Sequence, residues 1–135
     1  MILTDAGPLV ALFNSGDDAH GQCVEILRGI EEPLATTVPV LTEAFHLLGP
    51  TGAATLMDFV REGGLQVLFP DDEALNRAFD LMVQYADARM DFADASLVAA
   101  AENLSLQKIF TIDRNDFETY RVRRGHQHIA FEILR

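Results

Sequence analysis

The chain has 135 residues, 49% of them hydrophobic, which suits one compact domain over residues 1–135 with a sizeable buried core. Its net charge of −11, taken alone, argues against a polyanionic partner, because phosphate binding normally draws on a basic face. No apolar run approaches the roughly 20 residues that cross a bilayer, and MILTDAG has neither the basic start nor the apolar run of a signal peptide, so a cytoplasmic protein without membrane contact is expected.

Ile2 to Thr4 reads as a short apolar strand that ends at Asp5. Gly7 and Pro8 break the extended run, and proline suits the first turn of a helix through LVALF. Asp5 therefore stands at the C-terminal end of a strand, where open α/β sheets place their ligands; capping the next helix is its plainer role. Asn14 to Asp18 is a turn, and His20 to Ile30 is an amphipathic helix with Cys23, Ile26, Leu27 and Ile30 at helical spacing. Cys23 is the only cysteine and reads as a small packed side chain. His20 lacks a partner at ligand spacing and reads as surface.

Leu34 to Thr37 is a second strand, and Pro39 starts the helix VPVLTEAFHLLG, which Gly49 ends. Glu43 lies inside a broad apolar surface on that helix. It either enters a site, where a carboxylate needs a compensating partner, or faces solvent on the polar edge with Thr42 and His46. Thr51 to Glu62 forms a further helix whose Leu56, Phe59 and Val60 make either a dimer interface or ordinary core packing. Leu65 to Phe69 is the third strand, and Asp71, Asp72 and Glu73 are capping acids of the helix that follows.

The stretch from Met90 to Phe117 gathers the most negative charge. Ala95 to Glu102 is dense in helix formers, with Asp91 and Asp94 just before it, and Asp91 reads as the N-cap. A fourth strand from Lys108 runs through KIFTI into Asp113 and Asp116, and Ile129 to Ile133 is a final edge strand. Strands alternating with helices predict a three-layer α/β/α domain with a four- to five-stranded, mainly parallel sheet.

In such a fold Asp5, Glu43, Asp94, Asp113 and Asp116 collect along one sheet edge. Several carboxylates at one point repel each other unless a counter-charge is present. Hard divalent cations supply it, because Mg²⁺ and Mn²⁺ prefer oxygen ligands. The chain has no zinc spacing of Cys and His, no GxxxxGK[ST] and no GxSxG.

The ordered set ILTDAGPLVALF, VPVLTEAFHLL, DFADASLVAAAE and TIDRNDF, spread over nearly the whole chain, resembles the PIN-domain nucleases, and most closely the VapC-type toxins. The resemblance implies a PIN-like fold and an endoribonuclease dependent on Mg²⁺ or Mn²⁺, inhibited by a small VapB-like antitoxin and usually homodimeric. By position it assigns Asp5, Glu43, Asp94 and Asp113 as the catalytic, metal-holding quartet, with Asp116 and Thr111 in support. Arg89, Arg114, Arg121, Arg123 and Arg124 are candidate contacts for RNA or antitoxin, or solvated surface. A CheY-like phosphoacceptor would need paired acids near the first strand and a lysine after the last, and a haloacid-dehalogenase-like phosphatase an Asp where Gly7 stands. The remaining alternative is a PIN-fold module that binds RNA or protein without cutting.

Overall fold

Strands of two to four residues are too short to stand alone, and in the computed structural model, which describes residues 1–135, five of them pair into one parallel sheet. These are β1 (Ile2–Thr4), β2 (Leu34–Thr37), β3 (Gln66–Leu68), β4 (Lys108–Phe110) and a two-residue edge strand, Glu132–Ile133. β1 is central, with Leu3 opposite Ala35 of β2 on one side and Ile109 of β4 on the other. The chain builds outward from β1 through β2 to β3, then crosses back to place β4 on the other flank. That reversal makes a switch point between β1 and β4, and crevices outside the C-terminal strand ends at such points are where α/β sheets bind ligands.

Helices flank the sheet and give the α/β/α layering. They are α1 (Ala6–Phe13), α2 (His20–Arg28), α3 (Val38–Leu47), α4 (Pro50–Arg61), α5 (Asp72–Gln84), α6 (Phe92–Leu104) and the short α7 (Arg114–Thr119). Leu3, Ile109 and Phe110 from the strands are fully buried with Leu9, Val40, Leu56, Leu81, Leu97 and Val98 from the helices. α6 is buried on nearly every side, which suits its alanine-rich sequence: small side chains let helix and sheet approach closely.

Several boundaries differ from the sequence reading. α6 starts at Phe92, so Asp94 lies inside its first turn and not before it, while Asp91 is the N-cap as expected, accepting from Asp94 N at 2.8 Å. α3 stops at Leu47, and Gly49 serves as the N-cap of α4. His20 is half-buried, its Nδ1 2.7 Å from the carbonyl of Ala11, which holds α2 against α1. The α4 face with Leu56, Phe59 and Val60 is used internally: Leu56 is fully buried and the Phe59 ring lies 5.4 Å from that of Phe13.

The C-terminal strand is divided. β5 (Arg121–Arg124) and β6 (Gln127–Ala130) form a separate antiparallel hairpin, and only β7 (Glu132–Ile133) joins the main sheet, beside β4. Gly125 closes the two-residue hairpin loop at φ +61°, a conformation glycine reaches without a side-chain clash. Phe131, between β6 and β7, turns into the core and separates the two pairings.

Candidate active site

Asp5 is built by two local rules at once. It follows the last residue of β1, where its N–H donates to the Phe110 carbonyl at 2.9 Å, and it caps α1 by accepting from Ala6 N at 2.8 Å. The chain cannot relax it outward, because both neighbours are committed to sheet and helix. Asp5 is accordingly only 8% exposed. Gly7 lets the Ile112 side chain pack against the start of α1: a Cβ there would sit 2.6 Å from it.

Asp113 arrives from the adjoining strand, three residues past β4. Thr111 joins the two acids, donating its hydroxyl to Asp5 Oδ2 at 2.9 Å and accepting from Asp113 N at 3.0 Å. Glu43 comes from the middle of α3, Asp91 and Asp94 from the start of α6, and Asp116 from α7. All six carboxylates line one cleft with Ala6, Gly7, Leu47 and Ile112, and the only cation among its lining residues is Arg89. Leu47 and Ile112 are well-exposed apolar residues and form a hydrophobic lip on this charged cleft.

The crowding is visible in the acidities. Burial raises the Asp5 carboxyl, partly offset by the bonds from Thr111 and Ala6 and reinforced by the charges of Asp113 and Asp91. Burial pushes Asp94 up to about 7, against the bond from Tyr120 and with the added repulsion of Asp5, Asp91 and Asp116. Asp116 is pushed up to about 6 by burial and by its neighbour Asp113. Glu43, the most open of the four raised groups, is lifted by partial desolvation and by Asp91 and Asp5. One guanidinium does not balance six carboxylates, so the cleft favours bound protons or cations.

No three of the acid, histidine or cysteine side chains converge into a ready-made metal cage. Mg²⁺ and Mn²⁺ do not require one: a hard ion that keeps several waters is held through one or two carboxylates. The oxygen-only donor set fits such an ion and does not fit zinc, whose sites favour Cys and His.

The structure brings Asp5, Glu43, Asp94, Asp113, Asp116 and Arg89 together and leaves the other candidate basic residues off the cleft lining. Arg121 donates from Nη1 to the Tyr120 carbonyl at 3.0 Å, and Arg124 donates from Nη2 to the Leu106 carbonyl at 2.9 Å. Arg123 faces a different groove with Arg77 and Glu102, and Arg114 opens α7. An apolar hollow between α5 and α6, lined by Leu68, Phe69, Ala74 and Phe92 among others, shares none of the six acids. One residue read from sequence as a cap does more, and one was missed. Asp91 lines the cleft as well as capping α6. Tyr120 donates its hydroxyl to Asp94 Oδ2 at 2.8 Å; as an aromatic among aromatics, it carried no signal beyond core packing.

A parallel sheet with its acids at the β1/β4 switch point defines the class as a PIN-like α/β/α domain. No protein-family profile matches the chain. A sequence relative, Ribonuclease VapC26 of Mycobacterium tuberculosis (strain ATCC 25618 / H37Rv), is 26% identical over 124 residues, spanning 89% of this chain and 92% of the relative. Among solved structures, M. tuberculosis VapC20, a Sarcin-Ricin loop cleaving toxin, superposes with a TM-score of 0.79 at 22% identity, covering 86% of this chain and 92% of that one. A toxin–antitoxin complex from Klebsiella pneumoniae gives 0.65 at 19% identity, over 88% and 92% of the two chains. FitAcB from Neisseria gonorrhoeae gives 0.61 at 18% identity, over 87% and 91%. Within the PIN-like class, the chain is thus similar in sequence to a VapC protein and in fold to toxin-type structures.

Proposed function

We propose that this protein is a Mg²⁺- or Mn²⁺-dependent endoribonuclease and the toxin of a toxin–antitoxin pair. The observation that carries the reading is the single cleft in which Asp5, Glu43, Asp94 and Asp113, delivered by four different elements, meet at the switch point of the sheet. Support for RNA as substrate comes from the sequence relative named as a ribonuclease. Support for an antitoxin partner, of the small VapB-like kind, comes from the neighbour solved as a toxin–antitoxin complex. A cytoplasmic homodimer belongs to the same reading; no helix of the chain is long and apolar enough to cross a membrane.

Asp5, Asp94 and Asp113 would hold the metal, with Glu43 completing the set or orienting water. A divalent ion there supplies a more acidic water and offsets negative charge on a phosphodiester under attack. Thr111 keeps Asp5 from rotating away, and Asp116 adds negative charge beside Asp113. Arg89 is placed to contact a phosphate, since it lines the cleft and makes no ion pair within the protein. Arg114, Arg121, Arg123 and Arg124 lie off the cleft lining and would meet RNA or antitoxin beyond it.

The test is cleavage of total RNA in Mn²⁺ by the wild type and by Asp5→Asn. The wild type should cut, and the variant should lose at least ~100-fold, the scale of removing a group that acts on the reacting centre. Equal cleavage by both proteins, or by neither, overturns the nuclease reading and leaves a module that binds RNA or protein without cutting it.

A further inference from the structure

Tyr120 closes α7 and is fully buried, with its backbone N–H donating to the Asp116 carbonyl at 3.0 Å. Its ring is held edge-on by Tyr85 and by Phe117, each with centroids 5.3 Å away. Edge-on packing on two sides leaves the ring no alternative rotamer within the core. The hydroxyl therefore has a fixed position, and at that position it donates to Asp94 Oδ2 at 2.8 Å.

Packing alone does not call for a hydroxyl here. The adjoining core positions Phe117 and Phe131 are phenylalanines, packed edge-on to one another with centroids 5.4 Å apart and without any polar tip. The tyrosine spends its one polar atom on a carboxylate of the cleft, and it reaches there from the segment that also carries Asp113 and Asp116. One buried ring thus sets the geometry between the last loop and the first turn of α6. The bond also makes the two oxygens of Asp94 unequal: Oδ2 is taken, while Oδ1 accepts no hydrogen bond from the protein.

We infer that Tyr120 is a positioning residue of the nuclease site, locking Asp94 so that Oδ1 is the oxygen offered to a divalent cation. The inference rests on the metal-dependent reading given above. Groups that orient a ligand through a second hydrogen bond typically matter 10- to 100-fold in metal affinity.

The experiment is Mn²⁺ binding, by calorimetry or by the loss of the free-ion spin-resonance signal, to the wild type, Tyr120→Phe, Tyr85→Phe and Asp94→Asn. Tyr120→Phe should bind ~10- to 100-fold more weakly, with RNA cleavage recovering as Mn²⁺ is raised. Tyr85→Phe removes a hydroxyl from the same aromatic cluster, one that accepts from Arg121 N and does not touch Asp94. It should bind Mn²⁺ like the wild type. Adding Tyr120→Phe to Asp94→Asn should change nothing further. Wild-type affinity in Tyr120→Phe, or equal losses in both tyrosine variants, overturns the positioning role. A wild type that binds no Mn²⁺ overturns the metal-dependent reading itself, a separate and recognisable result. If Tyr120→Phe does not fold, a crystal structure of the wild type with Mn²⁺ decides. The cation on Asp94 Oδ1 with Tyr120 still on Oδ2 supports the role; a cation on Oδ2, or away from Asp94, overturns it.

Discussion

The Asp94 carboxyl is pushed up to about 7 by burial and by the surrounding acids, although Tyr120 pulls the other way. Between its ordinary value of 3.8 and about 7, the folded protein holds a proton here that the unfolded chain releases. The stability this group contributes is therefore complete below the lower value, falls as pH rises through the window, and is flat above it. Asp94→Asn removes that dependence while keeping an oxygen for Tyr120. In metal-free protein the variant should melt higher than the wild type at pH 8, with the difference closing towards pH 4, as followed by calorimetry in chelator. A gain that is the same at both pH values would refute the assignment. Thr111 has the opposite sense: its hydroxyl serves the ionised form of Asp5. Thr111→Val should cost about 1–3 kcal/mol in urea unfolding, for a buried acceptor left with one donor fewer, while Thr111→Ser should cost much less.

Helix pairs in this protein are set by close approaches that composition does not announce. A Cβ on Gly52 would stand 2.6 Å from the backbone oxygen of Phe13, so α4 rests directly on the end of α1. Gly52→Ala must push the two helices apart and should destabilise by about 1–3 kcal/mol, with little effect on cleavage per folded molecule. Glu102 on α6 accepts Arg77 Nε from α5 at 2.7 Å and Arg123 N from β5 at 3.0 Å, at only 9% side-chain exposure. Glu102→Ala strands a mostly buried guanidinium and should cost about 3–5 kcal/mol by denaturant melting. β1 and β2 were readable to the residue, because Asp5 directly follows the first run and Pro39 stands two residues after the second, and Asp91 announced itself as a cap. α7 was not readable: six residues with one buried position, Phe117, carry too little periodicity to separate a helix from a loop. Ile129 to Ile133 looked like one strand because its composition is strand-like throughout; the break at Phe131 is imposed by the core, and no local residue marks it.

The molecule carries a net charge of −11, and six of its acids share one cleft with a single arginine. The gathering of Asp5, Asp94 and Asp113 was readable because strand ends and helix starts are local features, and parallel topology places them on one edge; Glu43, in the middle of α3, could by spacing alone equally have faced solvent. Tyr120's part was not, since it depends on a contact between residues 26 apart in sequence that no pattern encodes. A cleft that raises the pKa of four of its own carboxylates, by burial and by mutual repulsion, is destabilised by its own charge at neutral pH, and a cation bound only by the folded state relieves it. Linkage then gives the size of the effect: at a free ion concentration 100 times the dissociation constant, the folded state gains about 2.7 kcal/mol. Mn²⁺ or Mg²⁺ should therefore raise the melting temperature well beyond NaCl at matched ionic strength, and chelator should reverse the rise. General screening of a −11 surface would respond to both salts alike. The two explanations separate cleanly in Asp5→Asn and Asp94→Asn, which leave the rest of the surface charge in place. If the divalent increment survives in both variants, the stabilisation is diffuse screening and not a site; if it disappears while the NaCl response stays, the cleft is where the ion binds.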